Sequence, residues 1–403
     1  MNQEKVLDAQ AVRSVYKKFS GTLPDIGNLQ NVFTPFSLCG DMIGKLKKYR
    51  RKFEGKTFAV FNLEFAEVLM YDYGVNGDQI WFFTDCPEKG KFAQLKRYKG
   101  LHIELGNFAR FLQEKVTMKF DVVIMNPPYQ DNKAKSSKKF WDRFLIKAIE
   151  LCKNNGHVAA ITPFSWATPS NPVLYVFREN ETLFVDLNGK CFFPDVGTTI
   201  SWYIIKKTRS AKDTEILSGT DKFYVDLKNV EFLPLVVNEI TVNILNKILN
   251  KQPKLNVQYD YFCEQRKPIM SDVCSEKFPY KVKHTVKQML YSSVPHPNTK
   301  VKKVVFPISS AMKAEYDGDG EYGCSQHYAW IKVKSKQEAE TLIRYLESDI
   351  VKWIRKMTQW TASWSRPILQ LLPNIPTTCD NLYQYFNLTK EEIEYVQGKT
   401  NSN

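Results

Sequence analysis

From Thr57 onward the chain alternates short apolar runs with segments whose apolar residues recur at helical spacing. The runs Thr57–Phe61, Gln79–Thr84, Leu101–Glu104, Phe120–Met125, His157–Thr162, Thr182–Asp186 and Ile200–Lys206 are rich in Val, Ile, Phe, Tyr and Thr. Several are apolar at consecutive positions, as strands covered on both faces must be. Between them, Leu63–Tyr73 and Lys139–Cys152 carry helical patterns, the second through Phe140, Phe144, Ile146, Ala148 and Leu151. This alternation predicts an α/β fold built on a doubly wound, mostly parallel sheet with its ligands at the carboxyl ends of the strands. Residues 1–30 are polar with a modest helical period that Pro24, Gly27 and Asn28 break, and are expected to form an N-terminal arm. At about residue 208 the rhythm stops in the polar stretch SAKDTEILSGTDK. A first domain over 31–208 and a second, smaller mixed α+β domain over 209–403 are therefore expected. Within the second, a helix over Gln337–Met357 would present Leu342, Leu346, Ile350 and Ile354 on one face, and Thr389 with Glu392 forms a capping-box spacing.

Composition narrows the function. The 403 residues hold 57 Lys and Arg against 43 Asp and Glu, a formal net charge of +14, which favours a polyanionic partner. A hydrophobic content of 43% is that of a globular chain, long enough to bury a core without disulfide or metal staples. Apolar runs fall short of the ~18 residues that suggest a membrane span, and the N-terminus has charges where a signal peptide would be apolar. A soluble, cytoplasmic protein is expected. The eight cysteines form no C-x-x-C pair and the five histidines do not join them at zinc-ligand spacings, so no metal is expected. Residues 277–313 contain eight lysines and no acid, interleaved with Phe278, Tyr280, Tyr291 and Phe306. Lys281, Lys283, Lys287, Lys300, Lys302 and Lys303 are the expected contacts to a nucleic-acid backbone. The basic run Lys45–Lys52 reads mainly as a solvated helix face, Trp353, Trp360 and Trp364 as core, and Asp317-Gly318-Asp319-Gly320 as a turn.

The chemistry is concentrated in Asp121-Val-Val-Ile-Met-Asn126-Pro127-Pro128-Tyr129. An apolar strand delivers Asn-Pro-Pro-Tyr where an open α/β sheet places its active site. The two prolines remove two backbone donors, leaving the Asn126 side-chain oxygen and the Pro127 carbonyl as acceptors. Such a pair suits an exocyclic amine, whose nitrogen lone pair is delocalised into its ring. Holding both amine hydrogens lets the nitrogen pyramidalise toward an electrophile, and Tyr129 offers an aromatic face for a planar base.

With that motif the chain resembles the amino-methyltransferases that use S-adenosylmethionine, and specifically the adenine-N6 DNA methyltransferases. Their motif is Asp/Asn/Ser-Pro-Pro-Tyr/Phe/Trp. Phe33-Thr34-Pro35 resembles the family's segment over the methionine end of the cofactor, and Asp85 sits where the family places an acid for the ribose hydroxyls. Gly106-Asn107-Phe108 is similar to the family's Gly-Asp-Phe at the cofactor adenine, and Phe192-Phe193-Pro194 to the segment whose aromatic, here Phe193, contacts the target base. The family's glycine-rich first motif is replaced by Val60-Phe61-Asn62-Leu63-Glu64-Phe65, with no glycine from Lys56 to Gly74. There Asn62 would cap the following helix, and Glu64 or Glu67 would reach the methionine ammonium. The resemblance implies a Rossmann-like methyltransferase domain followed by a target-recognition domain, in gamma-class order. It also implies S-adenosylmethionine as cofactor, double-stranded DNA as partner, a monomer, and a bacterial, archaeal or phage restriction–modification setting with room for a cognate restriction endonuclease. Glutamine methyltransferases of translation factors and guanine-N2 RNA methyltransferases share the motif. A nucleic-acid-binding protein that has lost cofactor binding is the non-enzymatic alternative.

Overall fold

The computed structural model describes residues 3–23, 33–129, 140–169, 171–194, 196, 198–209, 213–260, 268–309, 312–360 and 363–401. Two compact units divide the chain. One holds Met1–Ala167 with Asn171–Val230, the other Thr168–Ser170 with Glu231–Asn403.

The first unit opens with α1 (Gln3–Thr22) and α2 (Phe36–Tyr49), and then alternates. The order is β1 (Phe58–Val60), α3 (Leu63–Tyr71), β2 (Ile80–Thr84), α4 (Pro87–Ala93), β3 (His102–Leu105), α5 (Phe108–Phe111), β4 (Phe120–Met125) and α6 (Trp141–Leu151). It continues through β5 (Cys152–Pro163), α7 (Leu174–Glu179), β6 (Glu181–Asp186), β7 (Ile200–Lys206), β8 (Thr214–Ser218) and β9 (Asp221–Val225). The nine strands form one sheet in the order β3-β2-β1-β4-β5-β7-β6-β8-β9. The first five are parallel, and β7 runs antiparallel to both β5 and β6. The expected doubly wound α/β sheet is present. β1 and the centre of β4 are wholly buried, as their consecutive apolar residues require.

Two expectations about this unit are corrected. The sheet does not end near 208: the polar stretch there contains β8, which pairs with β6 and turns back into β9. A strand near a sheet edge buries one face only, so β8 reads as polar, and the first unit runs on to Val230. The N-terminal residues are no detached arm, because Tyr16 of α1 is 1% exposed. It packs edge-on against Phe92, with ring centroids 5.0 Å apart. Pro24, Gly27 and Asn28 lie outside the described residues.

At the amino-terminal end of β4, Asp121 ties neighbouring segments together. It accepts from Arg50 Nη2 at 2.8 Å, from Lys153 Nζ at 2.8 Å, and from the Thr57 backbone and hydroxyl at 3.2 and 3.0 Å. Burial raises its pKa, but hydrogen bonds from Lys153 and Thr57 outweigh that and hold the carboxyl at about 2. A depressed pKa stabilises the fold above the unfolded value near 4, and that stability is lost as pH falls toward 2. Asp121→Asn should therefore cost on the order of 1–2 kcal/mol at neutral pH, allowing for solvent screening at Lys153. In urea unfolding the difference from wild type should shrink steadily below pH 4; a difference constant down to pH 3 would contradict this assignment.

The second unit is smaller and mixed. After α8 (Glu239–Leu249) the described residues hold eight short strands: β10 (Val257–Gln258), β11 (Met270–Ser271), β12 (Tyr280–Lys283), β13 (Met289–Ser292), β14 (Lys303–Pro307), β15 (Glu315–Asp317), β16 (Gly323–Cys324) and β17 (Tyr328–Lys332). They form sheets ordered β10-β17-β14-β15 and β11-β13-β12-β16. The helices are α9 (Lys336–Leu346), α10 (Asp349–Thr358), α11 (Arg366–Leu371), α12 (Leu382–Tyr385) and α13 (Lys390–Asn401). The helix expected over 337–357 is broken into α9 and α10, because the Ser348 side chain accepts from Val351 N–H and starts a new helix. Leu342, Leu346, Ile350 and Ile354 are still all buried. Thr389 and Glu392 make the reciprocal bonds of a capping box, at 2.7 and 3.3 Å. Trp353, Trp360 and Trp364 are core residues.

Candidate active site

The strand order reverses between β1 and β4, the position at which open α/β sheets form a crevice. The backbone ladder there reaches Phe61, whose N–H donates to the Ile124 carbonyl at 3.2 Å. Beyond it the Asn62 side chain takes over. Its Oδ1 accepts from the Asn126 N–H at 2.8 Å, and its Nδ2 donates to the Asn126 carbonyl at 3.2 Å. Asn62 stands at the N-cap of α3, where its carbonyl accepts from the Phe65 N–H at 3.2 Å, but its side chain bonds none of that helix's N–H groups, which corrects the expected cap.

The Asn126 side chain is 2% exposed and held from two sides. Its Nδ2 donates to Thr34 Oγ1 at 3.1 Å, and its Oδ1 accepts from the Tyr129 hydroxyl at 3.2 Å. A carboxamide oxygen has two lone pairs, so Oδ1 retains one to offer an incoming donor. Pro127 and Pro128 are buried, and Tyr129 is 6% exposed. Burial pushes the Tyr129 phenol well above its ordinary pKa, which keeps it a donor.

Behind Thr34 stands Glu64, fully buried. Glu64 Oε1 accepts from the Thr34 N–H at 2.9 Å, and Oε2 accepts from the Tyr16 hydroxyl at 3.3 Å. A continuous line of bonds thus runs Tyr16–Glu64–Thr34–Asn126–Tyr129, and α1, α3, the Phe33-Thr34-Pro35 segment and the end of β4 all contribute to it. Burial, then the Glu64 charge, raises the Tyr16 pKa far above its ordinary value, so its proton stays in place. Glu67 is committed elsewhere: it accepts from Arg97 Nε at 3.0 Å and lies 3.5 Å from Arg13 Nε. Tyr16 was not legible as a site residue, since an aromatic in a polar helix carries no motif.

A cleft of about 310 Å³ opens beside the carboxyl ends of β2 and β3, lined among others by Phe83, Thr84, Gly106, Asn107, Phe108 and Phe111. Its aromatic walls and Asn107 suit a purine, and its volume lies at the lower edge of the ~300–1,000 Å³ usual for ligand pockets. Asn107 also accepts from Arg110 N–H at 3.1 Å, capping α5, and Phe108 packs edge-on against Phe144. Asp85 follows Thr84, and burial pushes its carboxyl up to about 6. Two hydroxyl donors would relieve that cost. The adenosine half of S-adenosylmethionine therefore fits the residues present. For the methionine half, the Asn62 side chain does not cap α3, and N–H groups at a helix N-terminus suit a carboxylate. Phe33 stacks edge-on against Phe36 and Pro35 is half-buried at the start of α2. Phe193 is buried at the end of the turn Gly189–Phe192; no ring stacking joins it to Tyr129 among the described residues.

The lysine set of the second unit divides. Antiparallel pairing of β14 with β15 sets Lys303 opposite Asp317. Lys303 is fully buried, 3.2 Å from that carboxylate and bonded to Asn298 Oδ1 at 2.8 Å, which leaves it no face for a phosphate. Lys281 pairs with Glu321 at 2.7 Å and Lys283 with Glu315 at 2.6 Å. The acids lie just beyond the acid-free stretch and fold back on it. Lys287, Lys300 and Lys302 are exposed and make no ion pair among the described residues. In the first unit Lys45 pairs with Glu215 at 2.9 Å and Arg50 with Asp121, so the Lys45–Lys52 run is partly structural. Among the described residues no group of His, Cys, Asp and Glu could hold a metal ion, and no helix is long and apolar enough to cross a membrane.

The stretch of chain that carries the Asn126–Tyr129 site resembles methyltransferases of the restriction–modification type. Residues 75–185, which include β4 and the whole of Asn126–Tyr129, match the family described as Eco57I restriction-modification methylase. No curated protein matches the chain. Among solved structures, the type IIL restriction-modification enzyme MmeI in complex with DNA is 12% identical, with a TM-score of 0.49 over 93% of this chain and 72% of that one. The type IIG restriction endonuclease BpuSI is 11% identical, with a TM-score of 0.43 over 91% of this chain and 61% of that one. A type I methyltransferase subunit from Streptococcus thermophilus is 16% identical, with a TM-score of 0.38 over 48% of this chain and 49% of that one. This chain thus spans about half the length of that subunit.

Proposed function

We propose that the protein transfers a methyl group from S-adenosylmethionine to N6 of adenine in double-stranded DNA. The observation that carries this reading is the Asn126 carboxamide, fixed at the carboxyl end of β4 with a lone pair of Oδ1 to spare, next to the Pro127 carbonyl. Asn126 Oδ1 would accept one hydrogen of the adenine amine and the Pro127 carbonyl the other. The amine nitrogen then turns its lone pair toward the donor. The cofactor, when bound, supplies a methyl group on a sulfonium. The N–C bond would form as the C–S bond breaks, and the methylated amine would afterwards lose one proton, so no general base would be required before transfer. Asn126 is deeply buried, which supports a mechanism in which the adenine would be flipped out of the stack to reach it. Tyr129 would stack on the flipped base and Phe193 would close its other side; Asp85 would accept from the ribose hydroxyls, and Asn107 with Phe108 would hold the cofactor adenine.

The test is transfer of tritiated methyl from S-adenosylmethionine into unmethylated duplex DNA, with RNA and protein extract as parallel acceptors. Label in DNA as N6-methyladenine is the expected result. Label in RNA as N2-methylguanine, or in protein glutamine, would replace this reading with one of the two enzymes that share the motif.

The second unit would hold the DNA backbone through Lys287, Lys300 and Lys302. Changing all three to Glu should weaken duplex binding in fluorescence anisotropy. The slope of log K against log salt should also fall by about 0.9 for each phosphate that is no longer neutralised. Lys303→Met acts differently. It strands Asp317 in the interior and should destabilise the second unit by about 3–5 kcal/mol, seen as earlier unfolding. An unchanged salt slope in the triple variant would remove these lysines from the interface.

A further inference from the structure

We infer that Asn62 is a positioning residue for Asn126, holding the catalytic peptide through a two-point clamp, and that it does not bind the cofactor. The inference rests on the reading of Asn126 given above. The parallel ladder between β1 and β4 runs through Phe58–Val122 and Val60–Ile124, and its backbone bonds reach Phe61. The chain of β1 then enters α3, so it has no further strand peptide to offer β4. The Asn62 side chain supplies the missing rung. A carboxamide carries the same acceptor and donor as a peptide group, and both are used, at 2.8 Å to the Asn126 N–H and 3.2 Å to its carbonyl. Pro127 and Pro128 follow immediately and donate no N–H. Asn62 and Asn126 are both buried, at 6% and 2% exposure, so water does not substitute easily for either bond.

The clamp acts on the backbone of Asn126 while Thr34 and Tyr129 act on its side chain, so together they fix the direction of the reacting oxygen. Within the glycine-free turn Val60–Phe65 the clamp requires a carboxamide side chain at position 62. Oδ1 and Nδ2 of Asn62 are each turned to the Asn126 peptide, and at 6% exposure the remaining lone pair and N–H have little access to S-adenosylmethionine.

The chemistry of the clamp provides a diagnostic variant. Asn62→Asp is isosteric. As an anion it still accepts from the Asn126 N–H but has no donor for the Asn126 carbonyl, which then faces a negative oxygen. Protonated, the carboxyl regains one acceptor and one O–H donor, the same pair as the amide. Asn62→Leu keeps the volume and loses both bonds at every pH.

The experiment measures single-turnover methyl transfer into duplex DNA from pH 5.5 to 8.5 for wild type, N62D and N62L, with S-adenosylmethionine affinity measured by calorimetry. N62D should lose about 10²-fold in transfer rate at pH 8 and recover much of it toward low pH, against the trend of wild type. N62L should be slow throughout without recovery. In both variants cofactor affinity should stay within about threefold of wild type. Transfer by N62D near the wild-type rate at pH 8, the same flat loss in N62D and N62L, or cofactor affinity falling in step with rate would each overturn the inference. Inactive wild type would instead overturn the proposed function itself, so the two failures are distinguishable.

Discussion

Asn126→Ala is expected to lower methyl transfer by about 10²–10³-fold, the range seen when a preorganised group at a reacting centre is removed. Duplex affinity should stay within a few-fold, because Asn126 is assigned no bond to the DNA backbone. The size follows from the geometry. Oδ1 of Asn126 is held by Tyr129, Nδ2 by Thr34 and the peptide by Asn62, so no reorganisation is needed when the amine arrives. Alanine leaves the Pro127 carbonyl as the lone acceptor for the amine, and the nitrogen lone pair stays delocalised. Single-turnover transfer and anisotropy titration on the same DNA separate the two effects. A loss of affinity equal to the loss of rate would mean that Asn126 contributes to binding and not to the chemical step.

Glu64→Ala should have the second largest effect, and on two quantities at once. Removing the carboxylate leaves the Thr34 N–H and the Tyr16 hydroxyl buried without their partner, at about 1–3 kcal/mol for each. Thermal unfolding should begin several degrees lower. Because Thr34 is the acceptor for Asn126 Nδ2, transfer should also fall at temperatures where the protein remains folded. Glu64→Gln retains an oxygen for the Thr34 N–H and should recover most of the activity. Full activity in the alanine variant would show that the line from Tyr16 to Asn126 is structural only.

The centre of the site was legible because its residues are consecutive. Phe120–Met125 is a strand in both sequence and structure, and Asn126–Tyr129 follows it without a gap. Ile200–Lys206 was legible for the same reason, being buried on both faces. Contacts between distant residues were not. The Asn62 clamp spans 64 positions, and a side chain replacing a ladder rung looks in sequence like a helix cap. β8 and β9 were missed because strands near an edge bury one face and read as loop. The lysine stretch was free of acids only along the chain: strand pairing and the turns that follow return Asp317, Glu315 and Glu321 to Lys303, Lys283 and Lys281. Ser348 was missed as a helix start because the apolar face of α9 and α10 keeps its period across the break.

Nucleoside mass spectrometry of DNA from cells without other DNA methyltransferases, expressing either wild type or Asn126→Ala, tests the assigned chemistry most directly. N6-methyladenine is expected with the wild-type chain and none above background with the variant. Methylation appearing on cytosine, or N6-methyladenine at equal levels with both chains, would contradict the assignment.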